Sequence, residues 1–196
     1  VEVDYETTKN DYFYDLSMTV KDTSSLEESF SKYIEPEIIN DYETGQYGKQ
    51  EIRKSIEFLQ FPPVLYIHLR RFEYDPQRQD MIKINSRFAY NESIDLSQFM
   101  ADDAADPDDQ IFDLFGVLVH HGGTYSGHYY AYLRTMADDD TWFMFNDSSV
   151  HEVPKEKAIE TNFGGVDSSN SLMTMERSYS AYMLIYIRRS KIAEFY

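Results

Sequence analysis

Hydrophobic positions along the chain recur mostly with a period of two. Residues 1–20 alternate at Val1, Val3 and Tyr5 and again at Tyr12, Tyr14, Leu16, Met18 and Val20, around the polar run Thr7-Thr-Lys-Asn10. Successive side chains of a strand face opposite sides, so this pattern predicts two strands joined by a polar turn. The period then lengthens. Ser25-Leu-Glu-Glu28 has the form of a capping box, and Leu26, Phe30, Tyr33 and Ile34 follow at helical spacing up to Pro36, which predicts a short amphipathic helix. Residues 40–50, with Gly45 and Gly48, read as an exposed loop.

Residues 61–74, Phe-Pro-Pro-Val-Leu-Tyr-Ile-His-Leu-Arg-Arg-Phe-Glu-Tyr, form the most strand-like run. Val64, Tyr66 and His68 alternate with Leu65, Ile67 and Leu69, and both sets are largely apolar, so a central strand covered on both faces is expected. Asp75-Pro76 predicts a turn, 82–88 a further strand, and 94–99 a short helical or extended piece. Residues 100–110 carry five Asp and no basic residue, the pattern of a solvated surface insertion. Strands are expected over 111–119, 128–135, 142–145 and 181–188, and a short helix over 153–160, with Pro154 at its start and Gly164-Gly165 beyond its end. Short helices among many strands make the fold class α+β with a mostly antiparallel sheet.

Composition narrows the function. Of 196 residues 42% are hydrophobic and 16% aromatic, enough apolar surface for a packed core. The net charge of −17 repels phosphate backbones and anionic lipid, so neither nucleic acid nor a membrane is an expected partner, and a basic partner suits the surface better. No apolar run approaches a membrane span and no secretory signal is visible, so the expected compartment is cytoplasmic or nuclear. The chain opens on Val1 rather than Met, so its natural start is expected upstream. It contains no cysteine, which excludes disulfides, thiolate zinc sites and a thiol nucleophile within the chain.

Chemistry concentrates in Val117-Leu-Val-His-His-Gly-Gly-Thr-Tyr-Ser-Gly-His-Tyr-Tyr-Ala-Tyr132. A strand ends, a loop rich in small residues follows, and His128 stands at the mouth of the next strand beside Gly127. The run Trp142-Phe-Met-Phe-Asn-Asp-Ser-Ser149 ends another strand on Asn146 and Asp147. If 128–135 and 142–145 pair as a hairpin, position 128 falls opposite about position 148, which brings His128 to Asn146. An amide or carboxylate there would accept the Nδ1 proton of the imidazole and leave Nε2 to activate a nucleophile. A zinc site from His120, His121 and Asp147 is disfavoured, because adjacent strand residues face opposite sides. Ser126, Ser148 and Ser149 occupy no nucleophile elbow. His68 reads as a structural strand histidine and His151 as a surface one, and on these residues alone a purely structural hairpin stays an alternative.

Gly-Thr-Tyr-Ser-Gly-His-Tyr-Tyr-Ala-Tyr132 with Trp142-Phe-Met-Phe-Asn-Asp-Ser-Ser-Val150 resembles the histidine box of the ubiquitin-specific proteases, and residues 61–72 resemble the strand that precedes it. The resemblance extends to Tyr182-Met-Leu-Ile-Tyr-Ile-Arg188. It is strongest to the herpesvirus-associated branch of that family and its fungal members, through Val3-Asp-Tyr5, Tyr74-Asp-Pro76, Lys83-Ile-Asn85 and Asn162-Phe-Gly-Gly165.

The resemblance implies the palm and part of the fingers of a papain-like cysteine protease fold, with the thumb lobe absent. Residues 1–60 would be the returning fingers and connecting helix, and 61–196 the palm with its histidine box. It implies His128 as catalytic base, Asn146 as its orienting partner and Asp147 as an assisting neighbour. Arg71, Phe72, Tyr74, His120, Gly127 and Tyr129 are implied to contact ubiquitin, with no metal and no cofactor. The implied reaction is hydrolysis of the bond after the C-terminal glycine of ubiquitin, with ubiquitin and ubiquitinated proteins as partners. The family's nucleophilic cysteine has no counterpart here, so an N-terminal half of the catalytic domain is expected to supply it, and this chain alone is expected to be inactive. A cysteine-less ubiquitin-binding pseudoenzyme is the alternative.

Overall fold

The computed structural model describes residues 6–104, 106, 108–135, 140–167 and 175–195. Its strands are β1 (Leu16–Thr19), β2 (Glu37–Glu43), β3 (Lys49–Lys54), β4 (Val64–Arg70), β5 (Phe72–Asp75), β6 (Asp80–Lys83), β7 (Ser93–Asp95), β8 (Ile111–Gly122), β9 (Gly127–Arg134), β10 (Trp142–Asn146), β11 (Ser149–Val153), β12 (Val166–Asp167), β13 (Met175–Glu176) and β14 (Tyr179–Arg188). Among the described residues the helices are α1 (Leu26–Ile34) and α2 (Lys155–Ala158), with three 3₁₀ segments. An α+β fold of this kind, dominated by one sheet, is the expected class. No helix among the described residues is long and apolar enough to cross a membrane.

The main sheet runs in the order β1-β4-β14-β8-β9-β10-β11, with β7 added beside β8. All of its pairings are antiparallel except β1 with β4. One face packs on α1 through a cluster of phenylalanines. Phe30 stacks on Phe99 at 5.0 Å and Phe58 lies 4.7 Å from Phe61, both near-optimal ring separations for apolar burial. The helix is fixed at its start by Ser25, whose Oγ accepts the Glu28 N–H at 3.2 Å. The Glu28 carboxylate reaches past Ser25 to accept from the N–H and Oγ of Ser24, at 2.6 and 2.7 Å, so the capping box is closed one residue further out than its sequence form implies.

Several sequence expectations are revised. Val1, Val3 and Tyr5 lie outside the described residues, and 6–15 form no strand; Tyr12 and Tyr14 are exposed, so their alternation marks no buried face. Residues 40–50 are mostly not loop but the turn end of the β2–β3 hairpin, whose side chains are nearly all exposed. Without a buried face a strand has no reason to alternate, which is why the pattern hid it. The 61–74 run is two strands, because the backbone kinks at Arg71, where the N–H donates to Leu69 O at 2.8 Å. Moreover β4 is second from the sheet edge and is buried on one face only; Leu65, Ile67 and Leu69 face the core while Tyr66 is exposed. The buried central strand is β8. Strand β6 ends at Lys83, and the carbonyls of Ile84 and Ser86 turn to the Arg71 guanidinium instead of a ladder.

Candidate active site

His128 is the second residue of β9, and Asn146 closes β10. In the observed register Trp142 pairs with Arg134 and Phe145 with Ala131, which continues to 128 opposite 148 as the hairpin spacing predicts. The two side chains meet at that end, with His128 Nε2 2.5 Å from Asn146 Oδ1. An amide oxygen only accepts, so Nε2 carries the hydrogen and donates it. This corrects the expected geometry: Nε2, not Nδ1, is held by the amide, and Nδ1 is the nitrogen left to take a proton.

Asp147 follows in the two-residue turn between β10 and β11, with φ +51. Its Oδ2 is 3.9 Å from the same Nε2 and its side chain is 80% exposed. Such a carboxylate contributes field rather than a defined hydrogen bond. Tyr130 stacks on the imidazole at 6.3 Å.

Positions 128 and 129 face opposite sides of the strand. On the second side Tyr129 packs against its cross-strand neighbour His120 at 4.7 Å, and His120 meets the Phe72 ring edge-on at 5.2 Å. Tyr182 completes the group, 5.4 Å from Tyr129, 6.2 Å from Phe72 and 4.7 Å from His68. His68, hydrogen-bonded to Ser17 at 3.3 Å, is held below the usual histidine pKa by partial burial. His120 is buried, its Nδ1 has no hydrogen-bond partner, and its pKa is lowered by burial first and by Lys83 and His121 next.

Gly127 is a packing requirement. A Cβ there would lie 2.1 Å from His120 Nε2 and 2.7 Å from His121 O. Gly122, paired with it across the loop, has φ +126, a conformation open to glycine.

The remaining sequence-derived residues separate by exposure. Tyr74 and Tyr129 are exposed and Phe72 is half-buried. Arg71 is buried, and its guanidinium donates to Ala181 O at 2.7 Å, Ile84 O at 2.9 Å, Ser86 O at 3.1 Å and Phe163 O at 3.1 Å. Burial brings its pKa down to about 10. A cation enclosed by four carbonyls is not presented to a partner, so the binding contact expected of Arg71 is replaced by a structural role. His120 and His121 point inward and outward respectively, as alternation requires, and do not converge on one ion. The sequence reading missed Tyr182 and Lys83. The signal for Lys83 was a single lysine between Ile82 and Ile84 at the end of a strand.

The family model described as "Ubiquitin carboxyl-terminal hydrolase" matches residues 5–186, nearly the whole chain. The chain belongs to the ubiquitin carboxyl-terminal hydrolase family. It is 40% identical to the Drosophila melanogaster protein named ubiquitin carboxyl-terminal hydrolase 7 over 193 residues, 97% of this chain and 17% of that protein. It is 37% identical to ubiquitin carboxyl-terminal hydrolase 5 of Schizosaccharomyces pombe over 201 residues, 99% of this chain and 18% of that protein. With ubiquitin carboxyl-terminal hydrolase 15 of Saccharomyces cerevisiae it shares 37% over 214 residues, 97% of this chain and 17% of the relative. The chain therefore spans less than a fifth of the length of these relatives.

Proposed function

We propose that this chain is the C-terminal part of the catalytic domain of a cysteine deubiquitinase, carrying the base and its orienter but not the nucleophile. The observation that carries the reading is the 2.5 Å contact of Asn146 Oδ1 with His128 Nε2 in a chain without cysteine. Residues 1–60 serve as returning fingers and connecting helix and 61–196 as palm, in the herpesvirus-associated branch of the family.

In the completed enzyme Nδ1 of His128 takes the proton of a cysteine thiol supplied by a segment outside this chain. The thiolate attacks the carbonyl of the last glycine of ubiquitin. The carbon–nitrogen bond breaks, His128 gives its proton to the departing amine, and a thioester remains. Water activated by the same imidazole then releases the ubiquitin carboxylate and restores the thiol. Asn146 holds the ring in the tautomer that leaves Nδ1 basic, and Asp147 favours the imidazolium by its charge. Phe72, Tyr74, Gly127 and Tyr129 border the tail of ubiquitin, with His120 and Arg71 shaping that wall from within. Neither metal nor cofactor enters this scheme, and the setting is cytoplasm or nucleus.

The test is to express the chain joined to the upstream segment of its own open reading frame and expose it to ubiquitin bearing a C-terminal electrophile. Covalent labelling that is lost with His128→Ala is expected, and a folded but unlabelled polypeptide overturns the reading. Zero cysteines also favour a second reading, a ubiquitin-binding pseudoenzyme. It requires an open reading frame without the cysteine box, together with calorimetric heat on titration with ubiquitin.

A further inference from the structure

Lys83 lies at the end of β6, paired in register with Phe72, and its side chain reaches across to the end of β8. Its ammonium donates to three backbone carbonyls, Ser178 O at 2.7 Å, Gly122 O at 3.0 Å and His120 O at 3.2 Å. An ammonium has three hydrogens, so the contacts saturate it. Its three partners are all backbone carbonyls, and the nearby charge that acts on it is the buried cation Arg71. A surface lysine would ordinarily remain in water; this one is directed into backbone oxygens, as a bound cation would be.

The clamp falls at a particular place. His120 and Gly122 flank His121, and His121 is the cross-strand partner of His128. Ser178 O also accepts the Gly122 N–H at 2.9 Å, so one carbonyl ties Lys83, the end of β8 and the entry to β14 together. The segment 123–126 that links Gly122 to Gly127 is too short to uncouple His128 from its partner. A second tie joins β6 to the linking segment itself, a hydrogen bond from the Tyr125 hydroxyl to Asp80.

We propose that Lys83 is a positioning residue for His128, holding the backbone on either side of His121 and so setting the strand mouth from which the imidazole is aimed at Asn146. Its consequence for catalysis rests on the function proposed above; its consequence for the loop does not. Partial burial and Arg71 bring the Lys83 pKa down to about 8, consistent with a cation held where water is scarce.

Lys83→Met keeps the aliphatic stem and removes the donors. Hydrogen exchange of the amides of residues 121–128 is measured in the chain joined to the upstream segment of its own open reading frame, against the wild type and against Lys191→Met, which lies in the C-terminal segment away from the site. We expect at least about tenfold faster exchange confined to this loop in Lys83→Met, as for loss of one local contact network. Unchanged exchange overturns the proposal, and so does global unfolding, which would assign the ammonium to the fold instead of the loop. In the completed polypeptide, kcat with a fluorogenic ubiquitin substrate is expected to fall roughly tenfold to a hundredfold with KM within about threefold, as for a displaced catalytic group. A raised KM with unchanged kcat overturns the positioning role. An inactive wild-type polypeptide would count against the proposed function alone, since the exchange measurement is independent of turnover.

Discussion

Asn146 decides which nitrogen of His128 carries a hydrogen, and so which one can act as a base. Removing that acceptor by Asn146→Ala frees the ring to rotate and to exchange tautomers, and in the completed enzyme kcat should fall at least about tenfold with little change in KM, read from steady-state kinetics. Gly127→Ala tests the close approach on the other face of β9. The added methyl group would collide with His120 and the His121 carbonyl, and a loss of about 1–3 kcal/mol is expected in denaturant unfolding. His120 also gives the chain a pH dependence. Its folded pKa lies below the ordinary 6.5, so between those values the unfolded chain binds more protons than the folded one. Its stabilising effect is full above 6.5 and is lost as pH falls through and below it. Thermal melts should show Tm declining on acidification in that window, with a smaller decline in His120→Gln. His68, shifted the same way, adds to the slope.

The elements differ in how openly their residues announce them. Helix α1 was legible because the cap, the apolar spacing and Pro36 agree, and Ser25→Ala should cost about 1 kcal/mol in denaturant unfolding by removing the acceptor for the Glu28 N–H. Strands β8, β9, β10 and β14 were legible because each is a run rich in apolar and aromatic residues. The β2–β3 hairpin was not, since its partners supply backbone hydrogen bonds and no buried face. The break between β4 and β5 was hidden for a different reason. Arg71 looks like a continuing surface cation, and only the convergence of four carbonyls from distant segments turns it inward and bends the chain.

At the scale of the whole molecule, charge and exposed aromatic surface oppose each other. A net charge of −17 favours solubility and attraction to a basic partner, an attraction that salt screens. Yet the sheet leaves Tyr66, Tyr74 and Tyr129 exposed beside half-buried Phe72 and Tyr182. Aromatic surface grouped in this way promotes association. We expect the isolated chain to self-associate unless a partner covers that face; monomeric elution from a sizing column would contradict this.

The sequence by itself determined the α+β class, the helix, the principal strands and the hairpin register that brings position 128 near 146, because these depend on local periodicity and on counting residues across a turn. It also carried the family resemblance and the absence of a thiol. Tertiary structure alone decided that Nε2 rather than Nδ1 faces Asn146, that Arg71 and His120 turn inward, and that Lys83 grips the loop before His128. Those outcomes depend on where carbonyls and rings from segments far apart in the chain converge, and no periodicity within a single segment encodes that convergence.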